Sequence, residues 1–113
     1  MNHKYGLLIH EGGSIEVVRL PDGMTQGRWI RKLLDGARYG GVAESNAPGG
    51  VLLFCPGAGD SAPVNKGATT ILREKETVSG AALYLPGKCG TEYKLYTQER
   101  AEMEKRILGV LIR

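Results

Sequence analysis

A chain of 113 residues, 42% apolar and 24% charged, can fill one hydrophobic core but not two, and its composition is not that of a disordered chain. Its net charge of +3 supports only a few phosphate contacts, which excludes strong backbone-driven nucleic-acid binding. Aromatic residues at 6% leave few rings for a single-stranded stacking platform.

The elements are expected as follows. Residues 4–10, "KYGLLIH", and 15–20, "IEVVRL", are rich in branched and aromatic side chains and flank a glycine pair, the pattern of a β-hairpin. Ile15, Val17 and Arg19 share one face of the second strand, and Glu16, Val18 and Leu20 the other. That imperfect alternation implies partial cover on both faces. Pro21-Asp22-Gly23 then supplies turn chemistry. Thr25 is placed to cap a helix in which Trp29 pairs with Leu33 and Ile30 with Leu34 at i,i+4. Arg28, Arg31, Lys32 and Asp35 fall on its other side, and Gly36 is placed to end it.

Residues 37–50 read as a loop with a short strand near 39–44. "VLLFC" (51–55) reads as a buried strand, because it is short and continuously apolar. Residues 56–63 form a loop. "NKGATTIL" (65–72) carries two signals: its threonines and Ile71 favour a strand, while Ala68 and the spacing allow a helical turn. "VSGAALYLP" (78–86) reads as a strand, "GKCG" as a turn, and "EYKLY" (92–96) as a short strand or an extended approach to the last helix. Thr97 caps that helix, with Glu99 in its first turn where the dipole favours it. Met103, Ile107 and Leu111 give it an apolar stripe, broadened by Leu108 and Val110. The expected fold is α+β: a single small domain over residues 1–113, mainly antiparallel sheet with two amphipathic helices packed on it.

The glycine-rich stretch 51–70 resembles a phosphate cradle but fails the test for one. A Walker A loop needs glycine before its lysine and a hydroxyl after it; Lys66 lies between Asn65 and Gly67. Gly57-Ala58-Gly59-Asp60-Ser61-Ala62 meets the loose dinucleotide spacing, but Pro63 opposes the helix that must follow at once. What survives is an anion-binding loop of exposed amides around Gly57, Gly59 and Lys66. A second candidate surface is the basic helix face of Arg28, Arg31 and Lys32, with Arg38 beyond it.

No catalytic or metal constellation is read from the sequence. His3 and His10 are seven apart on one strand and face opposite ways. Cys55 and Cys89 have no zinc spacing and no nearby base. Asp22, Asp35 and Asp60 make no acid–base pattern. No cofactor is expected. Two cysteines make no disulfide framework, and no apolar run approaches the roughly 20 residues of a membrane helix. The expectation is a cytoplasmic protein with reduced thiols and no membrane partner.

The order "GSIEVVRLPDG", helix, "VLLFC", "VNKGATTIL", "VSGAALYLPG", "YTQERAEMEKRIL" resembles domain-of-unknown-function family 3846, small proteins of phages and plasmids. The matching positions are Leu20–Gly23, Asn65–Thr69, Gly80–Ala82 and Thr97–Glu99. The glycine-rich 56–63 loop and the "GKCGTEYK" stretch depart from that family's pattern. The resemblance implies a mobile-element origin and makes Asn65 and Thr69 the most distinctive polar residues; turn capping is the simpler account of both. The expected function is non-catalytic: binding of a host protein or an anionic ligand, such as inhibition of a host defence, through Arg28, Arg31, Lys32 and the 57–67 loop. Weak nucleic-acid binding and binding of a small nucleotide-like ligand are the alternatives.

Overall fold

The first hairpin forms as its pattern predicts. Strands β1 (Tyr5–Ile9) and β2 (Ile15–Arg19) pair antiparallel, with Tyr5 opposite Arg19 and Ile9 opposite Ile15. A computed structural model describes residues 4–34, 38–41, 50–55, 63–72 and 77–112. Strands β3 (Arg38–Gly41), β4 (Val51–Phe54) and β5 (Ala82–Leu85) complete a five-stranded sheet in the order β2-β1-β5-β4-β3. Each neighbouring pair is antiparallel.

Both faces of this sheet are covered, and the covering explains the unbroken apolar runs. Alternate side chains point to opposite faces. Leu7, Ile9, Leu52, Phe54, Ala82 and Tyr84 join one cluster; Leu8, Val51, Leu53, Leu83 and Leu85 join the other. A strand buried on both sides has no polar face to show. The first cluster is capped by α2 (Lys66–Ile71) and α3 (Gln98–Leu111), through Ala68, Ile71, Ala101 and Leu108. The second is capped by α1 (Gln26–Leu33), through Trp29 and its C-cap Leu34, and by Tyr93 of a small hairpin. That hairpin pairs β6 (Gly87–Cys89) with β7 (Glu92–Lys94). The fold is therefore α+β, with its two long helices on opposite faces of the sheet. Gly6 on β1 makes room for the second cluster: a Cβ there would sit 2.7 Å from Leu85 Cδ2 and 3.2 Å from Trp29 Cη2.

Local chemistry sets the ends of the helices. The Thr25 hydroxyl accepts from Arg28 N–H at 3.3 Å, and the Thr97 hydroxyl from Arg100 N–H at 3.2 Å. Met24 N–H reaches Pro21 C=O at 3.2 Å across Asp22-Gly23, with Gly23 at φ +80°. A positive φ at the third turn residue belongs to a type II turn, which glycine adopts without strain.

Several expectations are corrected. The strand expected over 78–86 is confined to Ala82–Leu85. Gly80 at φ 79° turns the chain, and Ser79 instead bridges Val64. "GKCG" is not a turn throughout: residues 87–89 are strand, and the reversal is Gly90-Thr91, with Gly90 at φ 64°. Positive φ at the first central position alone is the sign pattern of a type II′ hairpin turn. The ambiguous 65–72 stretch is helical over 66–71, and β3 starts one residue earlier than expected. On α3 the buried residues are Ala101, Glu104 and Leu108, while Met103 is 49% exposed and Val110 71%. The face at 101, 104, 108 lies at i,i+3,i+7, equally helical in spacing; a small alanine and a glutamate disguised it. Residues 35–37, 42–49, 56–62 and 73–76 lie outside the described residues, and with them Asp35, Gly36 and most of the 56–63 loop.

Candidate functional site

The basic face of α1 keeps its expected geometry. Trp29 and Leu34 are buried and Ile30 and Leu33 half-buried, which fixes the helix on the sheet. Arg28, Arg31 and Lys32 are exposed. At i, i+3 and i+4 they form one stripe. Ion pairs elsewhere join Lys4 to Asp22 at 2.8 Å, His10 to Glu16 at 3.0 Å and Arg19 to Asp22 at 3.5 Å. Among the described residues, none of the three α1 cations takes part in an ion pair.

Lys88 and Lys94 of the small hairpin lie exposed on the same layer as α1, with Glu92 as the hairpin's acid. Gln26 of α1 joins this hairpin directly. Its Nε2 donates to Tyr93 C=O and its Oε1 accepts from Tyr93 N–H, both at 2.9 Å. Lys88 Nζ lies 6.0 Å from the Tyr93 ring centre, a cation–π contact at the limit of range. The sequence reading missed Lys88 and Lys94. Only the hairpin brings them beside α1, and β6 reads locally as a turn.

The other candidates are placed differently. Asn65 is fully buried. Its Oδ1 accepts from Ala68 N–H at 3.0 Å as the N-cap of α2. Its Nδ2 donates to Ile9 C=O and Gly80 C=O, both at 2.9 Å. The Thr69 hydroxyl accepts from Val78 N–H at 2.9 Å and lies 3.4 Å from Val78 C=O. Both residues spend their polar atoms inside the fold, so the binding role expected of them is replaced by a structural one. Lys66 is exposed at the start of α2, but α2 covers the face opposite α1. Lys66 therefore lies on the other layer from Arg28, Arg31 and Lys32. Arg38 opens β3 opposite Phe54 in register. Gly57 and Gly59 lie outside the described residues.

One buried polar cluster remains, under α3. The Tyr84 hydroxyl donates to Glu104 Oε2 at 3.5 Å, a long contact. The Tyr84 and Tyr96 rings are 6.3 Å apart, and the buried Tyr96 hydroxyl has no hydrogen-bond partner among the described residues. Burial chiefly, then the neighbouring Tyr84 and Glu104, holds the Tyr96 hydroxyl protonated well above the ordinary tyrosine range. Glu104 is 6% exposed, so the cluster is shut away from solvent.

Among the described residues no three His, Cys, Asp or Glu side chains gather as metal ligands, and no helix is long and apolar enough to cross a membrane. No family model, curated protein or solved structure matches the chain.

Proposed function

We propose that this chain is a non-catalytic binding protein of a phage or mobile element, and that the α1 face docks on an acidic surface of a host protein. The observation that carries the reading is the stripe of Arg28, Arg31 and Lys32, exposed and without ionic partners among the described residues on a helix anchored by Trp29. Cations on a rigid element steer an acidic partner, and the helix backbone that carries them needs no ordering on docking. Lys88 and Lys94 extend the same layer. The mobile-element origin rests on the family resemblance alone, and inhibition of a host defence is the role that origin suggests.

Weak nucleic-acid binding is the rival. Three phosphate contacts give a log–log salt slope of only about −2.7 and correspondingly low affinity. A small nucleotide-like ligand would need an enclosing pocket, and α1 presents a convex face.

The test is a pull-down from nuclease-treated bacterial lysate with the natural chain and with Arg28→Glu, Arg31→Glu and Lys32→Glu combined. One host protein should be retained after nuclease and lost on charge reversal. Binding abolished by the nuclease itself gives the surface to nucleic acid. Retention that survives reversal removes α1 from the interface.

A further inference from the structure

The edge of the sheet away from β3 is formed by β2. Leu20 N–H donates to Lys4 C=O at 2.7 Å, and His10 N–H to Ser14 C=O at 2.9 Å. With Tyr5 opposite Arg19 and Leu7 opposite Val17, these two bonds fix the phase of the ladder. Hydrogen-bonded pairs alternate along an antiparallel ladder. Ser14, Glu16, Val18 and Leu20 therefore turn their backbone groups toward β1, while Ile15, Val17 and Arg19 turn theirs outward. β2 is an edge strand, and among the described residues nothing pairs with those outward N–H and C=O groups.

A groove of about 790 Å³ lies at the Gly12–Gly13 end of this edge, where Ile15 is the β2 residue that lines it, and is walled by the later turns of α3. Such a volume lies within the range of ligand sites. Lys105 and Arg106 line it, opposed by Glu102, and neither cation has an ionic partner among the described residues. Val110 supplies an apolar wall and is 71% exposed. Gly109 also lines the groove, and a Cβ there would meet no atom within 4 Å.

An open strand edge beside a groove walled by a helix is the arrangement that takes up an extended peptide as an added strand. The backbone supplies the affinity. Alternate side chains of the added strand fall into the groove. Two cations, Lys105 and Arg106, and the apolar Ile15 and Val110 line that groove, a set complementary to an acidic residue and an apolar one two positions away.

We infer that the β2–α3 groove binds an extended acidic peptide segment by strand addition to β2. This site lies across the sheet from the α1 face and is independent of the reading given above.

The test selects a random heptapeptide library, displayed on phage, against the full chain, with counter-selection on Gly109→Phe. That variant fills the groove from a position with open space around it; circular dichroism and urea unfolding verify its fold. Enriched peptides should carry Asp or Glu with an apolar residue two positions away. Their binding, read by fluorescence anisotropy, should fall at least tenfold with Lys105→Glu and Arg106→Glu combined. N-methylation of the alternate peptide amides that face β2 should abolish it. The α1 charge reversal should leave it unchanged. No enrichment, enrichment without acidic bias, or indifference to N-methylation overturns the proposal. A concentration-dependent dimer broken by Gly109→Phe would give the edge to a second copy of the chain and likewise overturn it.

Discussion

Gln26 closes a two-point hydrogen bond on the backbone of Tyr93, 67 residues away, donating to its C=O and accepting from its N–H at 2.9 Å each. The side-chain amide acts as one rung of a ladder and ties the small hairpin to α1. The site is partly buried, so losing the amide strips both backbone groups of these partners. Gln26→Ala should cost about 1–3 kcal/mol in urea unfolding, with faster hydrogen exchange at the Tyr93 amide. Gln26→Glu keeps the acceptor but sets a carboxylate oxygen against Tyr93 C=O, so it should not restore the natural stability at neutral pH. Unchanged exchange at Tyr93 in the alanine variant would refute the tie.

Asn65 should prove the most sensitive polar residue in the chain. Asn65→Ala removes an N-cap worth about 1 kcal/mol and two donated bonds to Ile9 and Gly80 carbonyls. Each buried acceptor left without that donor adds about 1 kcal/mol or more, so the sum is about 3 kcal/mol. Asn65→Asp keeps the cap but sets a buried carboxylate against two carbonyl oxygens. It should be tolerated better in acid, where the carboxyl is protonated and again donates, and worse as pH rises. A variant equally stable at both ends of that range would contradict the assignment.

Much of the fold was legible because local pattern and tertiary burial agreed. The Thr25 and Thr97 caps, the Trp29 face and the glycine-divided hairpin all follow from short-range chemistry. The strand 87–89 did not, since Gly, Lys and Cys carry no strand signal and the pairing with 92–94 defines it. The buried face of α3 was misread for a related reason: Glu104 lies inside beside Tyr84, a neighbour brought to it across the fold. Of the candidate site, the exposed helix stripe could be read from spacing. The separation of Lys66 from it could not, because nothing local says which face of the sheet a helix will cover.

Asp22 should titrate below the ordinary aspartate value of about 3.9. The hydrogen bond from Lys4 contributes most, followed by the charges of Lys4 and Arg19. A depressed folded-state value means that the interaction stabilises the fold above the unfolded value and is lost as pH falls through the folded one. Lys4→Met should move the Asp22 titration, followed by carboxyl carbon NMR, back toward 3.9 and flatten the acid limb of the stability profile. The group is fully exposed, so added salt should shrink the effect in the natural chain. An Asp22 titration unmoved by Lys4→Met would show that the pair does not persist in solution.

Tyr96→Phe should stabilise the protein. The Tyr96 hydroxyl is buried without a well-formed hydrogen bond among the described residues, with Tyr84 and Glu104 as its polar neighbours, and burying such a poorly satisfied group costs about 1 kcal/mol or more. Phenylalanine keeps the ring that packs 6.3 Å from Tyr84. The gain near neutral pH is therefore about 1 kcal/mol, read as a higher urea midpoint at unchanged slope. The pH dependence follows from the raised folded-state value of Tyr96. Below about pH 10 the hydroxyl is protonated in both states. Above that, the unfolded chain releases the proton and the folded one holds it, so natural-chain stability declines as pH rises. The phenylalanine variant lacks this term, and its advantage should widen from neutral pH to about pH 11. An advantage that stayed constant would mean that Tyr96 ionises as readily in the folded protein as in the unfolded chain, and that its hydroxyl reaches water.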